Sequence, residues 1–552
     1  MQINPIQWQA LTVQYPFAAT HDSIQFFDFQ DKTQQAIDQF IASEFGSVLI
    51  LKTETFPEFL AEIEGYFALA EMETITKTEF NRNGLFGYRL YLDKENRIET
   101  VEGAIQQAHH KVLMLNINSL LLDITQWDKL KQALLFGHYE QPALNAIPSP
   151  SPTIMSPFKL VLVGSRDDIS TLADYDDSLY QFGQYAEIES YLPIDEENIQ
   201  QWGDYIQTAS QKYTQKLFSA NGLNQFLQNY IRESESQELI SISPTLLKKH
   251  ILGINHFYPD NAVFDDIQGY FDHLEQQSSV LNQYVLQDIL NNQQYIETDD
   301  ETVGQINGLS VVEFDGIPYS FGEPLRISCN VQYGDGEIQD IERKVELGGN
   351  IHSKGIIIAQ SCLANLLELP TQLPFSASLA FEQSYGEIDG DSSSLAIFCV
   401  LISALAKLPL PQSLAVTGSI DQFGNVLSVG GVNQKIEGFF NICEARGLTG
   451  KQGVVIPAVC LSHLSLKQPI LDAVKAGQFA IWAVADVFEA IEILLQHPFY
   501  EEEDPAVAKS AKTKKNDKPS IFSLVHQGIE SHQNDDASGN LFAYFCRWFK
   551  RH

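Results

Sequence analysis

The sequence lacks the features that define several large classes of protein. No apolar run reaches the roughly 18 residues that a membrane-spanning helix needs, and the densest run, residues 395–408, is interrupted by Ser403 and Lys407. The first residues carry neither a basic region nor an apolar core, so we expect no signal peptide. Only six residues are cysteine and none forms a CxxC pair, which favours reduced thiols over a disulfide framework or a metal site. We therefore expect a cytoplasmic protein with no metal and no membrane partner.

Positive charge is also scarce. The chain has 35 Lys and Arg residues against 71 Asp and Glu residues, a formal net charge of −36. Phosphate-rich partners would be repelled by this charge, so the composition argues against nucleic acid as a partner. A solvated acidic surface is the simpler interpretation of the charge. The length of 552 residues and the apolar content of 44% indicate a globular chain of roughly two to four domains.

The first 200 residues alternate short apolar runs with helical patterns. Residues 47–51, 111–115 and 159–164 are typical of buried strands, and residues 33–43 and 57–70 of helices. This alternation predicts a parallel α/β sheet. Residues 147–152 contain three prolines at alternate positions and predict a loop. Residues 201–302 have few β signals and many apolar residues at helical spacing, so they predict a helical subdomain.

From residue 303 the pattern changes to strands separated by glycine turns. The segment Gly334-Asp335-Gly336 predicts a hairpin between two of these strands. We expect this α+β region to span residues 303–498. Residues 499–552 predict a charged linker followed by an aromatic-rich C-terminal segment. That segment is interpreted as a short helix packed on its own body, with docking onto a neighbouring chain as the alternative.

Ser392 is the first candidate for chemistry. A loop with glycine and acidic residues delivers this serine to the start of an apolar helix, where the positive end of the helix dipole and main-chain amides can stabilise an oxyanion. The alternative is that Ser392 simply caps the helix, since serine is a preferred capping residue. Conventional hydrolase motifs of the GxSxG and HExxH types do not occur in the sequence.

Lys435 is the second candidate. It follows the Gly430-Gly431 turn and lies among apolar residues at the start of a predicted helix. A lysine in a dry site loses solvation of its charge, so its pKa falls and it can act as a base. The alternative is an ordinary lysine whose amine reaches the solvent from an amphipathic helix. A serine with such a lysine forms a nucleophile–base pair.

The motifs around these two residues resemble the Ser–Lys proteolytic domain of the Lon protease family, and in particular its B-type branch. In chain order they are VGQINGL at 303–309, DIER at 340–343, LGGNIHSKG at 347–355, FEQSYG at 381–386, DGDS at 389–392, GGVNQK at 430–435 and GVVIP at 453–457. The resemblance implies that Ser392 is the nucleophile and Lys435 the general base.

The same resemblance implies roles for two supporting residues. Thr417 falls in the family's Thr-Gly pair and would form a hydrogen bond near the lysine, although an ordinary strand threonine is an equal alternative. Asp389 matches the acidic position of the loop before the serine, and in the family that loop is mobile and can gate the site. Glu382 and Glu387 could tune the lysine, but we expect them to be solvated carboxylates.

In this family an AAA+ ATPase module precedes the protease. Residues 29–37, 103–116 and 162–166, the last containing Ser165 at the polar phosphate-sensor position, are similar to such a module in outline. The segment LKTETFP at 51–57 replaces the Gly-Lys phosphate loop, and Asn116 and Ile117 stand where acidic Mg²⁺ ligands are expected. ATP and Mg²⁺ are therefore implied by the family only, and we expect no cofactor in this chain.

The sequence thus predicts a degenerate α/β AAA+-like module with a helical subdomain, followed by an α+β Lon-type proteolytic domain. The resemblance implies a serine endopeptidase of the endopeptidase La class that cleaves unfolded or damaged proteins within a homo-oligomeric ring, a hexamer in the family. Two alternatives stay open. One is a non-catalytic Lon-shaped scaffold or adaptor, although a scaffold has no physical need for both Ser392 and Lys435. The other is a peptidase driven by ATP through a non-standard nucleotide site.

Overall fold

The computed structural model describes residues 3–19, 21–147, 149–384, 388–501 and 518–537. The chain divides into two compact units. The N-terminal unit consists of Pro16–Leu223 and Leu239–Ile267, and the C-terminal unit of the described residues of Met1–Tyr15, Asn224–Glu238 and Gln268–His552. The boundaries predicted at residues 200, 302 and 498 stay a prediction. Glu387, the linker at 502–517 and the aromatic segment at 538–552 lie outside the described residues.

Short strands and helices alternate in the N-terminal unit. The strands are β1 (Val48–Lys52), β2 (Thr74–Lys77), β3 (Tyr88–Leu92), β4 (Arg97–Val101), β5 (Val112–Asn116), β6 (His138–Glu140), β7 (Thr153–Met155), β8 (Lys159–Gly164), β9 (Gly183–Glu187), β10 (Tyr191–Pro193), β11 (Leu217–Phe218), β12 (Leu239–Ser241) and β13 (Val263–Phe264). The helices are α1 (Asp31–Ala42), α2 (Pro57–Leu69), α3 (Arg82–Phe86), α4 (Ala104–Gln107), α5 (Ile117–Leu121), α6 (Gln126–Phe136), α7 (Arg166–Tyr175), α8 (Leu179–Phe182), α9 (Glu196–Thr214), α10 (Ala220–Ser234) and α11 (Pro244–Phe257). Helix α10 begins in this unit and ends in the other.

A five-stranded parallel sheet forms the centre of the N-terminal unit, in the order β2-β5-β8-β1-β9. The three strands that the sequence predicts are β1, β5 and β8, and they lie side by side in this sheet. All six residues of β8 are buried, as expected for a strand of a parallel sheet with both faces covered. The predicted α/β architecture of this region is confirmed.

The C-terminal unit combines longer helices with mixed strands. Its helices are α12 (Gln268–Ser278), α13 (Val280–Leu290), α14 (Ile341–Lys344), α15 (Asn350–Leu366), α16 (Ser394–Ala406), α17 (Val432–Arg446), α18 (Gln468–Lys475), α19 (Val487–Leu495) and α20 (Ile521–Ala537). Its strands are β14 (Glu301–Val303), β15 (Gln305–Val312), β16 (Phe321–Gly336), β17 (Ile338–Asp340), β18 (Leu373–Glu382), β19 (Pro409–Pro411), β20 (Leu414–Val416), β21 (Ser419–Ile420), β22 (Val426–Leu427), β23 (Gln452–Pro457) and β24 (Phe479–Val484). Short 3₁₀ helices occupy Trp8–Leu11 and Ala458–His463 in this unit and Phe26–Phe29 in the other.

The main sheet of the C-terminal unit has seven strands in the order β17-β18-β16-β15-β20-β23-β24. The pairs β18–β16 and β16–β15 are antiparallel, whereas the pairs from β15 to β24 are parallel. The hairpin predicted at Gly334-Asp335-Gly336 is wrong. Strand β16 runs to Gly336 with a register shift after Tyr333, and β17 pairs in parallel with β18 instead of folding back on β16.

Helices cover both faces of this sheet. Successive residues of β23 alternate between two hydrophobic clusters: Val455 packs with α15, α16, α19 and α20, whereas Val454 and Ile456 pack with α17 and α18. This alternation follows from the two-residue period of a strand. Helix α20 contributes Ile521 and Val525 to the first cluster, although the sequence predicts no helix there.

Two glycines bring helix α17 into direct backbone contact with strand β16. A Cβ at Gly438 of α17 would lie 2.1 Å from the main-chain oxygen of Gly322, and a Cβ at Gly322 would lie 1.9 Å from the main-chain oxygen of Gln434. Neither position has room for a side chain, because the opposing atoms belong to the backbone. The depth of α17 against the sheet is therefore fixed by these two residues.

Within the described residues, no helix is long and apolar enough to cross a membrane. In that same part of the chain no group of three or more His, Cys, Asp or Glu side chains is arranged to hold a metal ion. The five described cysteines are buried and unpaired with one another. Burial raises the pKa of the thiols of Cys329 and Cys443 to about 12.

We expect Gly438→Ala to lower the free energy of unfolding by about 2 kcal/mol or more, because the new methyl group would collide with the Gly322 backbone. Gly65→Ala, in the exposed middle of α2, is the matched control, since a Cβ there meets nothing within 4 Å. Helix propensity alone predicts a gain of about 1 kcal/mol at both positions. Urea unfolding of the two variants checks the contrast, and equal shifts would contradict it.

Candidate active site

The loop that carries Ser392, residues 388–393 and here called the serine loop, is fixed to the segment after β20. The main-chain oxygen of Ser392 accepts a hydrogen bond from the Gly418 N–H at 2.8 Å. The hydroxyl of Ser394 donates to the Asp391 oxygen at 2.8 Å and accepts from the Ile420 N–H at 3.0 Å. These contacts hold the backbone of the loop in one place at the start of α16.

The side chain of Ser392 is not used to cap the helix. The capping position of α16 is Ser393, whose side chain makes no capping bond. The hydroxyl of Ser392 makes no hydrogen bond with any described residue, so the capping alternative is wrong. The N–H groups of Asp391, Ser392 and Ser393 likewise donate to no described acceptor. Within the described residues, this hydroxyl and the three adjacent amides therefore have no partner that competes with a ligand.

Asp389 ties the serine loop to helix α15. Its Oδ1 atom accepts hydrogen bonds from the N–H groups of Ile351 and His352 at 2.9 and 3.1 Å, which are among the first amides of that helix. Gly349 permits this approach, because a Cβ there would lie 2.5 Å from the Asp389 carboxyl carbon. Asp389 therefore lies in the loop before the serine, where the resemblance places it, and its carboxylate is held by a helix start.

Lys435 lies in the first turn of α17. Gly431 caps this helix with a φ of 66°, which is accessible to glycine, and its oxygen accepts from the Lys435 N–H at 2.9 Å. Lys435 is only 3% exposed, so the alternative of a solvent-reaching surface lysine is wrong. The contact between α17 and β16 places the lysine side chain inside the unit.

Burial lowers the pKa of the Lys435 amine from its usual value near 10.5 to about 8. Cys460, Glu235 and Asp391 oppose this effect, because negative charge on any of these groups favours the protonated amine. The Lys435 Nζ makes no hydrogen bond within the described part of the chain. A substantial fraction of the amine is therefore neutral near pH 8 and carries a free lone pair.

Ser392 and Lys435 line the same cavity of about 370 Å³. No hydrogen bond joins their side chains in this structure. The apolar residues that line the cavity are Leu309, Val311, Leu325, Ile327, Phe381 and Ile388. A cavity of this size with apolar lining residues, a hydroxyl and an amine can accept an amino-acid side chain next to the two reactive groups.

Two further cavity residues escape sequence reasoning. Gln434 has a buried side-chain oxygen with no hydrogen-bond partner in the described residues, and it lines the cavity beside Lys435. Glu235 also lines the cavity, although it lies 200 positions before Lys435 and follows a helix with no motif around it. Only the tertiary structure brings Glu235 to this site, so no local signal could have identified it.

The remaining predicted residues have other contacts. The hydroxyl of Thr417, which is fully buried, lies 3.4 Å from the main-chain oxygen of Ser392. Glu382 accepts from the hydroxyl of Ser328 at 2.6 Å and lies 3.8 Å from the guanidinium of Arg326. Thr417 thus contacts the backbone of Ser392, and Glu382 contacts two residues of strand β16.

The residues that follow β1 do not fit the phosphates of ATP. Helix α2 follows β1, as expected for a nucleotide module, but it begins with Pro57, which has no N–H to donate to a phosphate. The carboxylate of Glu58 lies in its first turn and binds the amine of Lys248 at 2.9 Å and the hydroxyl of Thr245 at 3.2 Å. The hydrogen bond from Lys248 lowers the pKa of Glu58, so this carboxylate is charged at neutral pH.

The positions expected to hold Mg²⁺ and to sense phosphate are also engaged elsewhere. The side-chain oxygen of Asn116 accepts from the Asn118 N–H at 2.9 Å and caps α5. Ser165 forms a reciprocal capping box with Asp168 at the start of α7. An acidic first turn without a glycine loop repels a triphosphate, so these residues do not fit the nucleotide that the family resemblance implies.

Comparisons with known proteins agree with the resemblance over both units. The model of the Lon protease (S16) C-terminal proteolytic domain matches residues 278–458, and the model of the LonB-like AAA domain matches residues 74–187. A protein of Haemophilus influenzae named "Putative Lon protease homolog" is 46% identical over 469 residues, which is 84% of this chain and 76% of that protein. A protein of the same name in Escherichia coli is 41% identical over 71% of this chain and 68% of its own length. The archaeal Lon protease of Methanocaldococcus jannaschii is 35% identical over 32% of this chain and 27% of its own.

We expect Asp389→Ala to lower the free energy of unfolding of the C-terminal unit by about 1 kcal/mol, because helix α15 loses the acceptor at its first turn. Asp389→Asn is the matched control, since its amide oxygen can still accept the same bonds. Urea unfolding of the full chain measures both. Equal losses in the two variants would contradict a capping role for the side chain.

Proposed function

This chain belongs to the Lon protease family, and from that premise we propose that it is a serine-type endopeptidase that uses Ser392 as nucleophile and Lys435 as general base. The observation that carries the proposal is the burial of Lys435 in the cavity that Ser392 also lines. Burial keeps part of the amine neutral near neutral pH, which a base requires. The two residues also lie within the matched proteolytic segment.

The proposed reaction follows from these atoms. The Ser392 Oγ attacks the peptide carbonyl carbon as its proton passes to the neutral Lys435 Nζ. The N–H groups of Asp391, Ser392 and Ser393, which have no described acceptor, supply donors for the resulting oxyanion. The Lys435 ammonium then returns the proton to the leaving amine, and an acyl-enzyme remains. Water attacks this ester by the reverse sequence and frees Ser392.

The cavity favours an extended substrate. Its apolar lining residues suit an aliphatic or aromatic side chain next to the cleaved bond. The side-chain oxygen of Gln434, which has no partner among the described residues, can accept a substrate N–H. A peptide can present a side chain and a free main-chain N–H at the same time only when it is outside its own secondary structure. We therefore propose unfolded or damaged proteins as substrates, a homo-oligomeric ring as in the family, and the cytoplasm as the site of action.

Cleavage is proposed to be independent of ATP. A phosphate at the first turn of α2 would need hydrogen-bond donors, but Glu58 places a carboxylate there. That carboxylate is paired with Lys248. The degenerate module then contributes assembly or substrate entry instead of nucleotide hydrolysis. The residues of the proteolytic site do not depend on a cofactor for any step described above.

We expect the wild-type chain to degrade casein at the same rate with and without ATP and Mg²⁺, and Ser392→Ala and Lys435→Ala to reduce the rate by at least about 1,000-fold, because each removes half of the nucleophile–base pair. Ser361→Ala on α15 and Lys451→Ala at an exposed position are the matched controls. Release of fluorescent peptides from labelled casein measures the rates.

Each outcome of that experiment decides between the alternatives. A rate that requires ATP would overturn the proposed independence and favour a non-standard nucleotide site. Absence of cleavage by an assembled wild-type protein would favour the non-catalytic scaffold. Full activity of either dyad variant would show that another residue performs the chemistry.

The pH dependence of cleavage follows from the pKa of Lys435. Because the amine must be neutral to take the serine proton, we expect kcat/KM to rise about tenfold per pH unit below pH 8 and to level off above it. The value of kcat/KM rises with pH because the protonated form of the base is inactive. Initial rates with a fluorogenic peptide between pH 6 and 10 measure this limb, and a profile that is flat through pH 8 would contradict it.

A further inference from the structure

Residues 224–238 of the C-terminal unit, here called the bracket segment, contact helix α17 on both sides of Lys435. Arg232, near the end of α10, binds the carboxylate of Glu437 with one bond of 3.0 Å and donates to the Ser465 oxygen at 2.8 Å. The N–H of Gln237 donates to the Ser462 oxygen at 2.6 Å. The bracket segment is therefore anchored both before and after Glu235.

Glu235 reaches the start of α17. Each of its two carboxylate oxygens lies 3.2 Å from the N–H of Gly431, the capping residue of the helix that carries Lys435. The backbone of Glu235 has a φ of 50°, a left-handed conformation that costs a residue with a side chain about 1 kcal/mol or more. Such a conformation persists only where the surrounding contacts fix it, so the carboxylate is held in place by the anchored segment.

Glu235 is not part of either segment that matches a family model. The matches cover residues 74–187 and 278–458, whereas the bracket segment lies between them. Its carboxylate nevertheless lines the same cavity as Ser392 and Lys435. The site is thus completed by a segment from outside the matched proteolytic sequence.

We propose that Glu235 is a positioning residue for Lys435: its carboxylate holds the first turn of α17 and sets the charge that the lysine amine experiences. The inference rests on the proposed function, because it assigns a regulator of the same dyad. It names the bracket segment as one part of the chain that adjusts the base strength that burial gives Lys435.

The two roles of Glu235 can be separated because one needs an acceptor and the other needs a charge. A glutamine keeps an oxygen for the Gly431 N–H but removes the negative charge. An alanine removes both. Negative charge near an amine stabilises its protonated form, so loss of the charge lowers the pKa of Lys435.

Other titratable groups also lie near Lys435, and they are the same in the wild type and in the Glu235 variants. Cys460 from the 3₁₀ helix and Asp391 from the serine loop act on the amine in the same direction as Glu235. Asp389 and Glu313 line the same cavity. Glu238, at the exposed end of the bracket segment, is outside the lining of the cavity and provides a control of equal charge.

The test measures the titration of Lys435 directly in the full chain. Acetic anhydride acetylates only neutral amines, so the extent of Lys435 acetylation against pH, read by peptide mass spectrometry, gives its pKa. We expect Glu235→Gln to shift this titration to lower pH and Glu238→Gln to leave it unchanged. Coincident curves for wild type and Glu235→Gln would overturn the proposal.

Kinetics on the same variants test the positioning role. We expect Glu235→Gln to move the rising limb of the pH profile to lower pH. Glu235→Ala should lower kcat by about tenfold or more with little change in KM, because the first turn of α17 loses its acceptor. An unaltered kcat in Glu235→Ala would overturn this role. Circular dichroism of each variant confirms that the comparison concerns folded protein.

Failure of the two proposals can be told apart. If the wild-type chain cleaves nothing, the proposed function fails, but the acetylation curves still show whether Glu235 controls the charge of Lys435. If the chain cleaves and the curves coincide, the proposed function stands and the role of Glu235 is refuted.

Discussion

The exclusion of water from the side-chain amine of Lys435 is the constraint on which the candidate site of the C-terminal unit depends. Lys435 is 3% exposed, and that burial lowers its pKa to about 8. The burial in turn requires α17 to lie at a fixed depth against β16, and the bare backbones of Gly322 and Gly438 set that depth. Gly322 and Gly438, which have no side chains, therefore influence the pKa of Lys435. The negatively charged groups around the amine then raise the pKa that burial has lowered.

Much of the fold could be predicted because its signals are local. Strands β1, β5 and β8 are runs of apolar residues, and Ser392 and Lys435 each lie in a short motif next to a helix start. The hairpin at Gly334 failed because glycine also permits an irregularity inside one long strand. Helix α20 and the contact of Glu235 with Gly431 could not be predicted, since both depend on residues distant in sequence.

In the N-terminal unit, an internal contact occupies the first turn of the helix that follows β1. The central sheet of this unit is parallel, and α2 follows β1 as in a nucleotide module. At the first turn of α2, however, Glu58 presents a carboxylate that Lys248 and Thr245 bind. An ion pair within the chain forms without any ligand. The contact between α2 and α11 is therefore made by the chain's own side chains.

The carboxylate of Asp389 serves the serine loop and helix α15 together. The loop cannot leave its position without exposing the first amides of that helix, at a cost of about 1 kcal/mol. A free-energy difference of that size changes an equilibrium constant by a factor of roughly five. The hydrogen bonds of Ser392 and Ser394 to the segment after β20 add to this cost. The cap of α15 and the position of the serine loop are therefore coupled through a single side chain.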